Sequence, residues 1–139
     1  MKKIVLISCC KQKKSIPSPA KDIYISTLFK YSFRYANTLH PDKILILSAK
    51  HGLLELEEII EPYNKTLNDF TLIERKKWSN SIIVDLKKIA DLDFDHFTIL
   101  AGNRYCQFIL PHLNHYSRPL EGLSIGKQLQ FLKKRINNE

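Results

Sequence analysis

Two adjacent cysteines, Cys9 and Cys10, end an apolar run and are followed at once by Lys11, Lys13 and Lys14. That combination suits covalent chemistry. Positive charge favours the thiolate, and the thiolate is the nucleophile. Successive side chains of a strand point to opposite faces, so only one of the two sulfurs is expected to face a site. Cys9, directly past the apolar run, is the candidate nucleophile. The competing reading is a strand-end cysteine packed as a small hydrophobe. Cys106, inside a helical stretch, reads as packing.

Two further polar stretches have residue types suited to a site. "SAKHG" puts Lys50 and His51 beside Gly52, which permits a sharp turn. His51 is the candidate general acid or base and Lys50 a point charge for phosphate. "AGNRY" supplies Gly102, where a backbone can approach a ligand closely, with Arg104 and Tyr105 at a helix start. Between them, "PYNKTLND" offers Tyr63 for stacking and Asn68 and Asp69 for hydrogen bonds to a base edge. Each stretch also reads as an ordinary loop, turn or cap. No Walker loop, G-x-G-x-x-G run, H-E-x-x-H or G-x-S-x-G is present.

The elements that must position these residues follow from hydrophobic pattern. "KIVLIS" (3–8), "KILILS" (43–48) and "HFTILA" (96–101) are short, continuous apolar runs that read as buried strands. Leu28, Tyr31, Tyr35 and Leu39 mark one face of a helix over about 26–39, broken by "HPD". Thr71 and Glu74 form a capping box opening a helix that ends near Asp91. A helix over "NRYCQFILPHL" is expected to stop near Pro111. A final amphipathic helix carries Ile125, Leu129, Leu132 and Ile136. The stretches 11–22 and 117–124 read as loops, 50–69 as a long irregular or weakly helical connection, and the tail "KKRINNE" as a solvated helix end. Alternating strands and helices predict a small three-layer α/β domain, a mostly parallel sheet covered by helices, spanning residues 1–139. In such sheets ligands bind beyond the carboxyl ends of the strands, where the three polar stretches would meet.

Bulk composition narrows the partners. The chain has 22 Lys and Arg against 14 Asp and Glu, a net charge of +8, which favours anionic partners, nucleic acid first. Three cysteines, two of them neighbours, make no disulfide framework and fit a reducing, cytoplasmic setting. "LISC" resembles a lipoprotein cleavage box, but the apolar stretch from Ile4 to Ile7 falls short of the about 7–15 residues of a signal segment. No run approaches the ~18 apolar residues of a membrane span. With no C-x-x-C pair and scattered histidines, neither a metal nor a cofactor is expected. His112 and His115 could share one helix turn, but read as surface histidines.

The blocks "ISCCKQKK", "AKDIYISTLFKYSFRYA", "ILSAKHGLL", "EPYNKTLND" with the tryptophan of "ERKKWS", "LAGNRY" and "PLEGLSIGKQLQFLKK" together resemble an uncharacterised domain family of bacteria and phages over nearly the whole chain. More remotely, the chain is similar to the peroxide-stress protein YaaA group, associated with DNA binding. It is also similar to the core domain of archaeosine synthase, which acts on the nitrile of a deazaguanine base in tRNA. That likeness implies roles for Cys9, Lys11, Tyr24 and Ser26; Ser8 stands where that core has proline, and the spacing differs. It implies covalent addition of Cys9 to an electrophilic carbon, with Lys11 or His51 supplying a proton, Tyr24 stacking on a base, and Lys50 and Arg104 holding phosphate. Ser8, Ser26 and Glu121 complete the candidate substrate contacts. The expected function is an enzyme acting on a nucleobase or nucleotide, within a nucleic acid or free. The alternative is a non-catalytic DNA- or RNA-binding module.

Overall fold

The computed structural model describes residues 1–137; Asn138 and Glu139, the end of the tail, lie outside the described residues. Four strands, β1 (Lys3–Ser8), β3 (Lys43–Ser48), β6 (His96–Leu100) and β7 (His115–Ser117), run parallel, and β4 (Gly52–Glu55) joins antiparallel at one edge. The order is β4-β3-β1-β6-β7. Consecutive residues of β1 point to opposite faces, yet Ile4, Val5, Leu6 and Ile7 are at most 1% exposed. Both faces of the central strand are therefore covered, as a fully parallel centre requires. The predicted three-layer α/β architecture is the one observed.

Helix α2 (Thr27–Thr38) connects β1 to β3 and packs against α5 (Ile125–Asn137), with Tyr35 edge-on to Phe131. Helix α3 (Leu72–Lys87) leads from β4 toward β6 and packs against the short α4 (Asn103–Cys106). The capping box expected at Thr71 and Glu74 forms: each side chain accepts from the other residue's backbone N–H, at 3.1 and 2.9 Å. Ser26 caps α2 by accepting from the Phe29 N–H at 3.1 Å.

Several expectations need correction. The stretch 50–69, expected to be irregular or weakly helical, holds β4 and a second small strand, β5 (Ile59–Ile60), which pairs with β2 (Ser18–Pro19). Gly52, at φ 73°, turns the chain back onto β3, and Leu54 is buried there. The loop read over 11–22 likewise contains β2 and the start of α1 (Ala20–Ile23). The helix expected over 103–111 ends at Cys106. Pro111 has no N–H to give to Gln107, and the Ile109 and His112 N–H groups bond three residues back, to Cys106 and Ile109. His112 consequently ends a 3₁₀ turn while His115 opens β7, so the two share no helix turn. The third strand closes at Leu100, one residue early.

Candidate functional site

The sheet opens between two of its central strands. Register pairs Ile7 with Leu100 as the last partners of β1 and β6. On its other side β1 continues, because the Cys9 N–H donates to Leu47 O at 2.9 Å. Cys9 is thus held in line with β3 while β6 turns away through Gly102 into α4. The chain leaves β1 toward β3 and reaches β6 on the opposite side, so this gap is a topological switch point, the usual binding crevice of an open parallel sheet.

A cavity of about 340 Å³ fills the gap, a size in the range of small-molecule sites. Ser8, Cys9 and Cys10 line it from β1, and Gly102 and Asn103 from the end of β6. Ser26, Phe29 and Ser32 line it from α2, Gln128 from α5, and Arg118, Glu121 and Gly122 from the segment between β7 and α5. The side chain of Arg118 is only 10% exposed. Its guanidinium donates to Asn103 Oδ1 at 2.7 Å and pairs with Glu121 Oε1 at 3.2 Å, while its Nε has no partner among the described residues. One cation and one carboxylate leave the cavity near neutral, with serine hydroxyls and amides as its polar groups.

Cys9 is 8% exposed, and its Sγ lies 3.3 Å from the Tyr105 hydroxyl. Cys10 is half-buried, and its thiol donates to Gln12 O at 3.1 Å. The two sulfurs therefore have different partners although both residues line the cavity. Cys106 is fully buried, and burial raises its thiol pKa.

Behind Cys9 stands a chain of phenols. Tyr24 and Tyr63 share a hydroxyl–hydroxyl bond at 2.7 Å, and Tyr63 shares another with Ser48 Oγ at 2.8 Å. Ser48 Oγ also accepts from the His51 backbone N–H at 3.0 Å, and Ser48 O accepts from Trp78 Nε1 at 2.9 Å. The His51 ring stands edge-on to Tyr63 with centroids 5.3 Å apart, and the Lys13 ammonium sits over the Tyr63 ring at 4.3 Å. Burial is the main cause that pushes the hydroxyl pKa values of Tyr24, Tyr63 and Tyr105 far up, and negative charge on Cys9 pushes them the same way. All three remain protonated near neutral pH, so each keeps a proton to donate. His51 is held below its ordinary value, first by burial and then by the charge of Lys50, so its ring is neutral at pH 7.

The three polar stretches do share one edge of the sheet, but they split into two groups. Ser8, Cys9, Ser26, Gly102 and Glu121 line the cavity, whereas Tyr24, Tyr63 and His51 belong to the phenol cluster and Tyr105 stands between Cys9 and the Trp78 ring. The split has a plain cause: the chain after β3 folds straight back as β4, carrying His51 toward Tyr63. Among the described residues no hydrogen bond joins the His51 ring to Cys9. Tyr24 is 1% exposed and packed on Phe29, so it is not free to stack on a base. Lys11, Lys50 and Arg104 are exposed and do not line the cavity, and α4 is too short to give Arg104 an anion-binding helix end. Gly52 serves the β3–β4 turn. Asn68 and Asp69 are exposed in a 3₁₀ turn, with the Asn68 N–H donating to Thr66 Oγ1 at 3.2 Å. Among the described residues no group of three or more potential ligands could hold a metal ion, and no helix is long and apolar enough to cross a membrane.

Sequence reasoning missed Arg118, Asn103 and Gln128. Asn103 directly follows the end of β6, whereas Arg118 and Gln128 reach the cavity because β7 pairs with β6 and returns the chain across the strand ends. The residues of β7, His115–Ser117, are all exposed and have no apolar alternation to announce a strand.

No solved structure matches the chain. It is 27% identical over 150 residues to the uncharacterized protein YfjM of Bacillus subtilis (strain 168), covering all of this chain and 98% of that one. The profile of DUF6884, described as a family of unknown function, matches residues 4–134. With nearly its whole length inside that match, the chain belongs to the DUF6884 family.

Proposed function

We propose that the chain is an enzyme acting on a nucleobase or nucleotide, with Cys9 as its nucleophile. The observation that carries this reading is the position of one thiol: at the tip of the central strand, lining the switch-point cavity, 3.3 Å from a phenol that stays protonated. The polar groups around it are those that pair with the edge of a heterocycle. With Asn103 Oδ1 held by Arg118 and Gln128 Nε2 donating to Leu123 O at 2.9 Å, the Asn103 amide supplies a donor and Gln128 Oε1 an acceptor, and the Ser26 hydroxyl and Glu121 carboxylate, though each already has one partner, add acceptor capacity.

The remote likeness to the archaeosine synthase core suggests a nitrile as the electrophile. Addition would form an S–C bond and break one π bond of C≡N, giving a thioimidate. The thiol proton would pass to the nitrile nitrogen by way of Tyr105, which donates one proton and takes up the other. Tyr105 fits that relay better than His51 or Lys11, because it alone among them touches the sulfur.

The test is intact-mass measurement after incubation with a nitrile-bearing deazaguanine base, alongside equilibrium binding of the same compound. The expected result is an adduct equal to the full mass of the base, lost in Cys9→Ser but kept in Cys10→Ser, with binding retained in both. Binding without an adduct in the native chain would favour a non-catalytic binding module. An adduct that survives Cys9→Ser would end this reading.

A further inference from the structure

The two helices that pack together on one side of the sheet carry one sign of charge. Helix α2 has Lys30 and Arg34, and α5 has Lys127, Lys133, Lys134 and Arg135; neither contains Asp or Glu. All six side chains are exposed. The helix on the other side of the sheet differs: α3 mixes Lys and Arg with Glu74 and Asp85. Most of the chain's net charge of +8 is therefore displayed on a single layer.

Ion pairing does not explain this placement, although Arg34 lies over the Tyr31 ring and Arg135 over the Phe131 ring. The ion pairs among the described residues use Lys21, Lys43, Lys88 and Arg118, none of them in this layer. Lys134 and Arg135 suit the C-terminal end of α5, but Lys127 lies in its first turn, where the helix dipole disfavours a cation. The layer also borders the cavity, since Ser26, Phe29 and Ser32 of α2 and Gln128 of α5 line it.

We infer that this α2–α5 layer is the docking surface for the phosphate backbone of a nucleic-acid strand, so that the enzyme's substrate is a base within a polymer and not a free nucleotide. The inference rests on the base-site reading of the Cys9 cavity for what enters it, but the docking surface stands on charge alone. A helix of 12 residues is about 18 Å long, enough to run beside several successive phosphates of one strand. A base must leave its stack to reach an enclosed thiol, and a single strand offers it at least expense. An anionic membrane is the weaker fit, because the apolar faces of both helices are already used: Phe29 and Ala36 of α2 and Leu132 of α5 are buried in the core.

The experiment compares binding of a short single-stranded oligonucleotide over a range of salt concentrations. The native chain is set beside Lys30→Gln/Arg34→Gln/Lys127→Gln and beside a control triple on α3, Lys76→Gln/Lys77→Gln/Lys87→Gln. Each phosphate contact contributes about 0.7 to the slope of log K against log salt on a single strand, so the first triple should lower the slope by about two and weaken binding at least tenfold. The control should change the slope by less than about one-half on the same scale. Circular dichroism and melting temperature report folding, and a deazaguanine nucleoside, lacking phosphate, reports the cavity. Equal loss in both triples, no loss in either, or binding to phosphatidylserine vesicles in preference to the oligonucleotide overturns the inference. If nucleoside binding persists through such a failure, the cavity reading stands without the docking surface.

Discussion

Two buried serines on the β3 and α3 elements should respond oppositely to the same substitution. Ser48 is fully buried, and its Oγ both accepts from the His51 N–H at 3.0 Å and exchanges a hydrogen bond with the Tyr63 hydroxyl at 2.8 Å. Ser79 is 1% exposed, and its Oγ has no partner among the described residues. Ser48→Ala removes two hydrogen bonds at about 1 kcal/mol each, a loss of about 2 kcal/mol. Tyr63 keeps Tyr24 as a partner, and His51 is exposed enough for water to reach its backbone, so the larger penalty for orphaned groups does not apply. Ser79→Ala removes a hydroxyl that gains nothing from its surroundings, and should leave stability unchanged or raise it by up to about 1 kcal/mol. With an unfolding entropy of about 2.1 cal/mol/K per residue, a chain of 139 residues shifts its Tm by about 3.4 °C per kcal/mol. Thermal and urea unfolding should therefore place Ser48→Ala about 7 °C below the native chain and Ser79→Ala at or slightly above it. Adding Tyr63→Phe to Ser48→Ala should cost less than the sum of the single changes, because both act on one network. The reasoning is refuted if Ser48→Ala loses less than about 0.5 kcal/mol, or if Ser79→Ala is the more damaging of the two.

Three other outcomes are expected. Tyr105→Phe, which deletes the hydroxyl beside Cys9 Sγ, should lower stability by at most about 1 kcal/mol yet slow adduct formation with a nitrile base by about 10²-fold, read by timed intact-mass measurement. Asp95 accepts from the Lys2 and Asp91 backbone N–H groups, both at 2.8 Å, and these bonds hold its carboxyl below the ordinary ~3.9. A depressed folded pKa stabilises above the unfolded value and loses that effect as pH falls through the folded one. Asp95→Asn should therefore be less stable than the native chain at pH 7, and urea unfolding should show the gap closing under acid. Thr71→Ala removes the N-cap of α3 and should lower stability by about 1 kcal/mol, with faster hydrogen exchange confined to the first turn of that helix.

The strands of the sheet centre were legible because burial on both faces leaves apolar, mostly β-branched residues in Ile4–Ile7, Ile44–Leu47 and Phe97–Leu100, with Thr98 the one polar exception. The capping box at Thr71 was legible from adjacent residues alone, and of the stripe expected on α5 Leu132 is buried and Leu129 and Ile136 half-buried while Ile125, in the first turn, is exposed. What escaped was set by contacts distant in sequence. β4 forms because Gly52 reverses the chain, and it borrows its partner from β3. β7 is three exposed residues held only by pairing with β6. Of the candidate site, Cys9 at a strand tip could be read from its neighbours in sequence. Arg118 could not, because its place in the cavity depends on β7. The separation of His51 from Cys9 was hidden as well, since both follow strands that end side by side, and only the immediate return of β4 draws the imidazole to Tyr63.

The most direct measurement of the central claim is a crystal structure with a deazaguanine nucleobase soaked into the switch-point cavity. The account predicts the ring between the ends of β1 and β6, its reactive carbon in contact with Cys9 Sγ and its edge paired with Asn103 or Gln128. A base bound elsewhere, with the cavity unfilled and Cys9 touching only Tyr105, would contradict it.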